Sequence, residues 1–201
     1  MTDRSDLELV LTRSQELGFL GPGPIGPQID HALRFAQALP GPAPRRALDL
    51  GAGGGLPGLV LSVTWSDAEW VYLDANDRRT AFLVEAAARL GLADRVTVRR
   101  GRAEEVGHDA SLRASFDLVT ARSFGPPAVT AECGSPFLVV GGTLLVSEPP
   151  DQGERWDPSG LAVLGLTRGP RQFGCQVLEQ TQLCPERYPR RVGVPAKRPL
   201  F

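Results

Sequence analysis

The sequence has few of the residues that metal sites, disulfide frameworks and membrane spans require. Its three cysteines, Cys133, Cys175 and Cys184, lie far apart, none forms a Cys-x-x-Cys pair, and the two histidines lie elsewhere. A zinc site and a disulfide framework are therefore not expected. Because no charged-then-apolar leader and no long apolar run occurs, the sequence predicts a soluble cytoplasmic protein without a membrane span.

A large excess of charge of either sign is also missing. The formal net charge is −1, so the whole chain is no polycation, and any nucleic-acid binding must come from a local patch. Lysine occurs once, as Lys197, and the other basic residues are arginines. Hydrophobic residues make up 42% and charged residues 22%, which suits one well-filled core and excludes global disorder.

The chain divides into a short helical part and a longer part in which strands and helices alternate. Residues 5–18 and 28–39 have helical spacing, and a loop rich in glycine and proline separates them, so we predict a helical N-terminal cap over residues 1–44. Residues 45–201 show strand–loop–helix alternation. This pattern predicts an α/β domain with a mostly parallel sheet and helices on both faces. Strands are predicted at residues 47–50, 70–73, 96–99, 116–120, 143–147, 161–167 and 176–182.

The most informative segment follows the first predicted strand and has five glycines in residues 51–58. It reads Asp49-Leu50-Gly51-Ala52-Gly53-Gly54-Gly55-Leu56-Pro57-Gly58. Glycines let a backbone turn tightly and approach a ligand, and ligands of open α/β sheets lie beyond the carboxyl ends of the strands. A plain strand-to-helix turn is the alternative, but five glycines are excessive for it. The segment therefore predicts a nucleotide-type pocket.

Two ligand classes fit this pocket. Gly53 to Gly58 matches the dinucleotide fingerprint G-x-G-x-x-G, and Asp74 follows about twenty residues later. Asp49 favours a methyl donor instead, because a carboxylate there faces the ammonium and sulfonium end of a cationic ligand but would repel a pyrophosphate. The Tyr-x-x-x-Lys pair of many dehydrogenases is also missing from the sequence, since the single lysine is Lys197. We therefore expect S-adenosyl-L-methionine.

Four side chains lie at or after the ends of predicted strands. Asp74 ends the second strand, where an acid can accept both ribose hydroxyls, although a solvated turn residue is the alternative. Glu104 follows the third strand and either holds the adenine amino group or is a first-turn acid of a short helix. Arg122 and Phe124 close the fourth strand on the expected substrate side, with a surface arginine as the alternative for Arg122.

These motifs resemble those of the glucose-inhibited division protein B family, bacterial methyltransferases of guanine N7 in small-subunit rRNA. The likeness covers about residues 28–201 and rests on the loop ending in Leu56-Pro57-Gly58 and on residues 98–105, 116–124 and 187–197. It implies a class I methyltransferase, Rossmann-like, with a seven-stranded, mostly parallel sheet whose final strand is antiparallel. The N-terminal part is shorter than in the family and lacks its Trp-Asn…Asn-Leu-Thr segment.

The resemblance also implies roles for residues. Gly51 and Leu56 would line the cofactor site, and Arg122, the predicted catalytic residue, would contact the cofactor or the incoming base. Ala103 and Glu104 would meet the adenine, whereas the ribose side would consist of Asp74, Ala75 and Asn76. The complete predicted cofactor-binding set is Asp49, Gly51, Gly53, Leu56, Asp74, Ala75, Ala103, Glu104 and Arg122.

The expected substrate sets the chemistry. Guanine N7 carries a lone pair and no proton, so attack on a methyl group needs no general base and no metal, and neither His31 nor His108 is given a catalytic role. The rate would come from positioning. Phe124 is expected to stack on the base. The RNA phosphates would be held by Arg99, Arg100, Arg102, Arg190, Arg191, Lys197 and Arg198. A flexible, solvated tail is the alternative for the last four.

One departure from the family supports a second hypothesis. Ser147 and Glu148 stand where the family usually has Lys-Gly after the fifth strand. A diverged protein of methyltransferase fold, which methylates a small molecule or serves as a cofactor-binding partner module, is therefore the alternative to an rRNA methyltransferase. The sequence indicates no oligomeric state.

Overall fold

The computed structural model describes residues 4–150 and 153–201. Its sheet has seven strands: β1 (Arg46–Leu50), β2 (Glu69–Asp74), β3 (Val96–Arg100), β4 (Phe116–Ala121), β5 (Leu138–Ser147), β6 (Leu166–Gln172) and β7 (Cys175–Gln180). The strand order is β3-β2-β1-β4-β5-β7-β6. Strands β1 to β5 pair in parallel, whereas β7 is antiparallel to both β5 and β6. This confirms the predicted α/β sheet with its antiparallel final strand.

Helices cover the sheet. They are α1 (Arg4–Glu16), α2 (Ile25–Ala38), α3 (Gly58–Thr64), α4 (Asp77–Arg89), α5 (Ala103–Val106), α6 (Pro127–Gly134), α7 (Pro158–Ala162) and α8 (Val194–Lys197), and a 3₁₀ turn covers Ser135–Phe137. Within residues 4–150 and 153–201, none of them has both the length and the apolar character needed to cross a membrane.

The predicted strand at residues 161–167 is wrong in its first half. Residues up to Ala162 belong to α7, and β6 begins at Leu166. The helix forms because Pro158 suits a first helical turn and the Asp157 side chain accepts a hydrogen bond from the Gly160 N–H at 2.7 Å. The strand predicted at residues 143–147 begins too late, since β5 starts at Leu138 and continues through Gly141 and Gly142, with a register shift against β4 between Phe116 and Leu118.

The two N-terminal helices share one core cluster with the sheet. Leu11 of α1 and Phe35 of α2 are fully buried in one core cluster with Leu59 of α3 and Trp70 of β2. Ser14 interrupts the apolar stripe of α1, and its buried hydroxyl donates to the Gly54 carbonyl at 2.8 Å. The first helix therefore braces the glycine loop. The predicted boundary of the cap at residues 1–44 stays a prediction, and residues 1–3 lie outside the described residues.

Candidate functional site

The glycine loop connects β1 to α3 in a shape that other residues rarely adopt. Gly51, Gly53 and Gly55 have φ values of +70°, +55° and +96°. The N–H groups of Gly51 and Ala52 both donate to the Leu73 carbonyl, at 2.8 and 3.0 Å. Because positive φ strains residues that carry a Cβ, the glycines determine the path of this loop at the carboxyl end of β1.

Asp49 lies underneath this loop. Its Oδ2 accepts the Gly58 N–H at 2.9 Å and its Oδ1 accepts the Thr120 hydroxyl at 2.8 Å. The residue is 1% exposed, and burial raises the pKa of its carboxyl to about 7 against the opposing effect of both hydrogen bonds. Asp49 therefore ties β1 to the start of α3 and to β4. It is not among the residues that line either cavity described below, and its predicted contact with a ligand stays a prediction.

A first cavity of about 380 Å³ opens where β1, β2, β3 and β4 end. It lies where ligands bind in open α/β sheets. The lining residues are Gly51, Leu73, Asp74, Ala75, Asn76, Arg79, Gly101, Arg102, Ala103, Glu104, Ser123 and Phe124. Five members of the predicted cofactor-binding set meet here: Gly51, Asp74, Ala75, Ala103 and Glu104.

Asp74 organises one wall of the first cavity. Its Oδ2 accepts the Gly53 N–H at 2.9 Å, and its Oδ1 accepts the Asn76 N–H at 2.8 Å. Gly53 itself does not line the cavity, but its N–H is held by this bond to Asp74. A carboxylate offers about four lone-pair positions, so Asp74 keeps acceptor capacity for a ligand.

Glu104 links the first cavity to the C-terminal tail. Its Oε1 accepts the Gly193 N–H at 3.1 Å, just before α8. The tail is thus packed against the site rather than extended into solvent. Arg190 shows this most clearly, because its Nε and Nη2 donate to the fully buried Glu132 at 2.9 and 2.6 Å. The guanidinium of Arg190 is thus engaged with Glu132, although its side chain is 26% exposed, and its predicted contact with RNA phosphates stays a prediction.

The other predicted phosphate contacts differ in their availability. Arg99 pairs with Asp109 at 3.1 Å, and Arg100 pairs with Asp77. Both pairs lie at the surface, where ion pairs contribute little and exchange readily. Arg102 lines the first cavity. The remaining tail cations, Arg191, Lys197 and Arg198, are exposed.

Besides Asp49 and Gly53, two further members of the predicted cofactor set do not line the first cavity. Leu56 is 5% exposed and belongs to the core cluster beneath the loop. Arg122 lines a second cavity of about 440 Å³. The two cavities share Ser123 and Phe124, so they adjoin. The second is lined by His31, Arg122, Ser123, Phe124, Gly125, Pro127, Val146, Ser147, Glu148, Pro149, Pro150, Arg155 and Trp156.

Arg122 and His31 meet in the second cavity. In the part of the chain that the structure describes, neither Arg122 Nη1 nor His31 Nδ1 has a hydrogen-bond partner. Burial lowers the pKa of His31, and the positive charges of Arg122 and Arg34 lower it further. Burial likewise lowers the pKa of Arg122. The packing of α2 brings His31 beside Arg122.

Several lining residues had no signal in the sequence. Trp156 and Arg155 follow a loop rich in proline and acidic residues, and no motif connects them to the end of β5. Among the lining residues from β5 onwards, Ser147 and Glu148 stand out in the sequence, as a departure from a family pattern. The fold brings these residues together because β5 ends beside β4, whose carboxyl end carries Arg122 and Phe124.

Comparisons with known sequences identify relatives over most of the chain. The family model for GidB, described as rRNA small subunit methyltransferase G, matches residues 28–151. The ribosomal RNA small subunit methyltransferase G of Prochlorococcus marinus (strain MIT 9313) is 37% identical over 174 residues, which cover 78% of this chain and 68% of that protein. The protein of the same name from Moorella thermoacetica is 34% identical over 184 residues, which cover 86% of this chain and 76% of that protein.

Solved structures share the fold at low sequence identity. The cofactor-bound Rv0187 protein from MTB aligns with a TM-score of 0.61 and 17% identity, covering 90% of this chain and 91% of the other. A methyltransferase structure from Klebsiella pneumoniae aligns with a TM-score of 0.55 and 15% identity, covering 88% of both chains. These similarities confirm a class I methyltransferase fold.

Proposed function

Because the chain belongs to the rRNA small subunit methyltransferase G family, we propose that it methylates N7 of a guanine in small-subunit rRNA. Methyltransferase activity with S-adenosylmethionine as the donor follows from the family and the fold. The observation that supports the substrate proposal is the pair of adjoining cavities. One carries the predicted cofactor residues, and the other carries Arg122 and opens where Phe124 and Ser123 connect the two.

The residues of the first cavity fit S-adenosylmethionine. The bound cofactor supplies a methyl group on a sulfonium, which makes that carbon electrophilic. Gly51 presents bare backbone to the cavity. The neighbouring Phe124 ring leaves no room for a side chain at this position, since a Cβ on Gly51 would lie 2.6 Å from Phe124 Cδ2. Asp74 would hold the ribose hydroxyls with its remaining lone pairs, and Glu104 with Ala103 would meet the adenine. Asp49 would support the site from below by holding the start of α3.

On the acceptor side, the protein contributes by positioning the base. Guanine N7 needs no deprotonation, so no side chain has to remove a proton, and the rate depends on holding N7 in line with the methyl group. Arg122 lines the acceptor cavity, and its Nη1, which has no hydrogen-bond partner within residues 4–150 and 153–201, would donate to an acceptor atom of the base. Phe124 lies where a base passes from the second cavity towards the first and would stack on its face.

The RNA backbone would be held at the surface around these cavities. Arg191, Lys197 and Arg198 are exposed cations on the tail, and Arg102 lies at the rim of the first cavity. Phosphate contacts of this kind supply salt-dependent affinity without sequence preference. A substrate in the ribosomal small subunit also makes the cytoplasm the proposed location.

The test compares RNA from a strain that lacks this gene with RNA from its parent. Nuclease digestion and mass mapping of small-subunit rRNA should show one guanine that loses N7-methylation in the deletion strain, and a plasmid copy should restore it. If the RNA maps are identical, the rRNA assignment fails. The alternative then gains support, namely a small-molecule methyltransferase or a cofactor-binding partner, because Glu148 places a negative charge in the acceptor cavity where a phosphate would be repelled.

A further inference from the structure

Helix α1 contacts the glycine loop at Gly54. Ser14 of this helix is 0% exposed, and its hydroxyl donates to the Gly54 carbonyl at 2.8 Å. A Cβ on Gly54 would lie 2.6 Å from Ser14 Oγ and 2.7 Å from Leu20 Cδ2. Unlike three other glycines of the loop, Gly54 does not have a positive φ. The close approach of α1, and not the backbone conformation, therefore explains why the loop has no side chain at this position.

The Ser14 hydroxyl makes a different bond from the hydroxyl of Thr12 on the same helix. Thr12 donates to the Glu8 carbonyl, four residues earlier, at 2.8 Å, which is a common bond for serine and threonine inside a helix. Ser14 lies among the buried residues of α1, where a hydroxyl is unfavourable unless it finds a partner. The partner that it finds belongs to the loop.

Two side chains from outside the loop hold neighbouring backbone groups of its central part. Asp74, which lines the first cavity, accepts the Gly53 N–H at 2.9 Å. Ser14 holds the carbonyl of the next residue, Gly54. Residues 53–55 are three consecutive glycines, and a backbone without Cβ atoms changes its conformation easily. The two bonds therefore keep the most adaptable part of the loop in one path, and Gly51 of the same loop lines the first cavity.

We propose that Ser14 is a positioning residue for S-adenosylmethionine. Ser14 does not line the first cavity and acts through the Gly54 carbonyl. A loop that adopts several conformations binds its ligand with an affinity reduced by the fraction of molecules in the competent one, and Ser14 keeps that fraction high. The proposal rests on the proposed cofactor site but not on the RNA substrate. It gives a part in cofactor binding to a helix that precedes residues 28–151, the part matched by the family model.

The test compares the wild type with Ser14→Ala in binding S-adenosylhomocysteine. Calorimetry is done at a temperature at which urea titrations show both proteins to be fully folded. Ser14→Ala should bind about three- to tenfold more weakly, as expected for the loss of one hydrogen bond that favours the competent loop. With unmodified small-subunit rRNA, the KM for S-adenosylmethionine should rise by a similar factor while kcat changes little, because the ligand-bound loop is the same in both proteins.

Two other variants of α1 are matched controls. Thr12→Ala removes an exposed hydroxyl that also donates to a backbone carbonyl at 2.8 Å. Val10→Ala removes buried volume, since Val10 is 3% exposed and lines a cavity together with Phe82 and Ala86 of α4. Val10→Ala should lower the free energy of unfolding. Both controls should nevertheless bind S-adenosylhomocysteine as the wild type does.

Ser14→Cys has nearly the same volume and keeps a weak donor, so it decides the question if Ser14→Ala does not fold. Its affinity should also lie below that of the wild type. Wild-type affinity in the Ser14 variant, or an equal loss of affinity in Val10→Ala, would overturn the proposal. If Ser14→Ala binds more weakly but no rRNA guanine is methylated, the substrate proposal fails and the role of Ser14 stands. No binding of S-adenosylhomocysteine by the wild type would overturn both the cofactor site and the role of Ser14.

Discussion

The Phe124 ring lies directly against the backbone of Gly51. A Cβ built on Gly51 would be 2.6 Å from Phe124 Cδ2. In addition, the Gly51 φ of +70° is a backbone conformation in which residues that carry a Cβ are strained. Gly51 lines the first cavity and Phe124 lines both cavities, so this contact forms the boundary between the predicted cofactor site and the predicted acceptor site. Two independent requirements for glycine therefore coincide at one residue.

Gly51→Ala should weaken cofactor binding, because its methyl group would push Phe124 away and change the loop. We expect the affinity for S-adenosylhomocysteine, measured by calorimetry, to fall about tenfold or more, which corresponds to about 1.4 kcal/mol. Gly141→Ala is the control, since Gly141 has a φ of +86° but a Cβ there would meet nothing within 4 Å. Both variants should lose about 1–2 kcal/mol of stability from strain. Equal affinities in the two variants would contradict a special role for Gly51.

Asp49→Asn should change how stability depends on pH. Burial raises the pKa of this carboxyl to about 7, above the unfolded value of about 3.9, so the folded state retains a proton that the unfolded state loses. The contribution of the protonated Asp49 carboxyl to the free energy of unfolding is thus complete below about pH 4. It is lost as pH rises towards 7, by about 1.4 kcal/mol per pH unit. Relative to Asp49→Asn, the wild type should lose free energy of unfolding across this range in urea titrations. If the free energies of unfolding of the wild type and of Asp49→Asn changed in parallel across this pH range, the raised pKa of Asp49 would be refuted.

The same variant separates two roles of Asp49 in ligand binding. An amide fits between the Gly58 N–H and the Thr120 hydroxyl, because its oxygen accepts and its NH₂ donates. If Asp49 acts by holding the loop, Asp49→Asn should bind S-adenosylhomocysteine nearly as well as the wild type. If its charge faces the ammonium group of the ligand, binding should weaken by about 1–3 kcal/mol.

The sequence predicted the residues of the first cavity better than those of the second. The glycine loop, Asp74 and Glu104 follow consecutive strands, and the carboxyl ends of parallel strands meet at one edge, so local motifs sufficed to place them. Trp156 and His31 come to the second cavity from a late loop and from an N-terminal helix. Only tertiary packing brings such segments together. The ion pair between Arg190 and Glu132 could not be predicted for a related reason, because nothing near Glu132 in the sequence indicates that a distant arginine neutralises it.

Arg190→Ala should destabilise the fold. Glu132 is fully buried, and removal of its partner leaves an uncompensated charge, which typically costs about 3–5 kcal/mol. Thermal or urea unfolding measures the loss. The neighbouring Arg191→Ala is the control, because an exposed substitution should stay within about 0.5 kcal/mol. Adding Glu132→Gln to Arg190→Ala should recover part of the stability, and no recovery would show that the charge of Glu132 is not the cause.

The exposed tail cations should control RNA affinity. Replacing Arg191, Lys197 and Arg198 with alanine should weaken binding of small-subunit rRNA and reduce the log–log salt slope by about 0.7–0.9 for each lost phosphate contact. Affinity for S-adenosylhomocysteine should stay unchanged. Arg122→Ala provides the contrast, since we expect it to lower turnover while the salt slope stays the same. A triple variant with the wild-type slope would show that these tail residues do not contact phosphates.

The most direct test of the account is methyl transfer by the purified protein to unmodified small-subunit rRNA. With S-adenosylmethionine present, nuclease digestion and mass spectrometry should detect N7-methylguanosine at one position. The same RNA transcribed with 7-deazaguanosine triphosphate, in which a C–H replaces N7, should accept no methyl group. Methylation of the 7-deaza RNA, or methyl transfer to a different atom or to no RNA at all by a protein that binds S-adenosylhomocysteine, would contradict the proposed function.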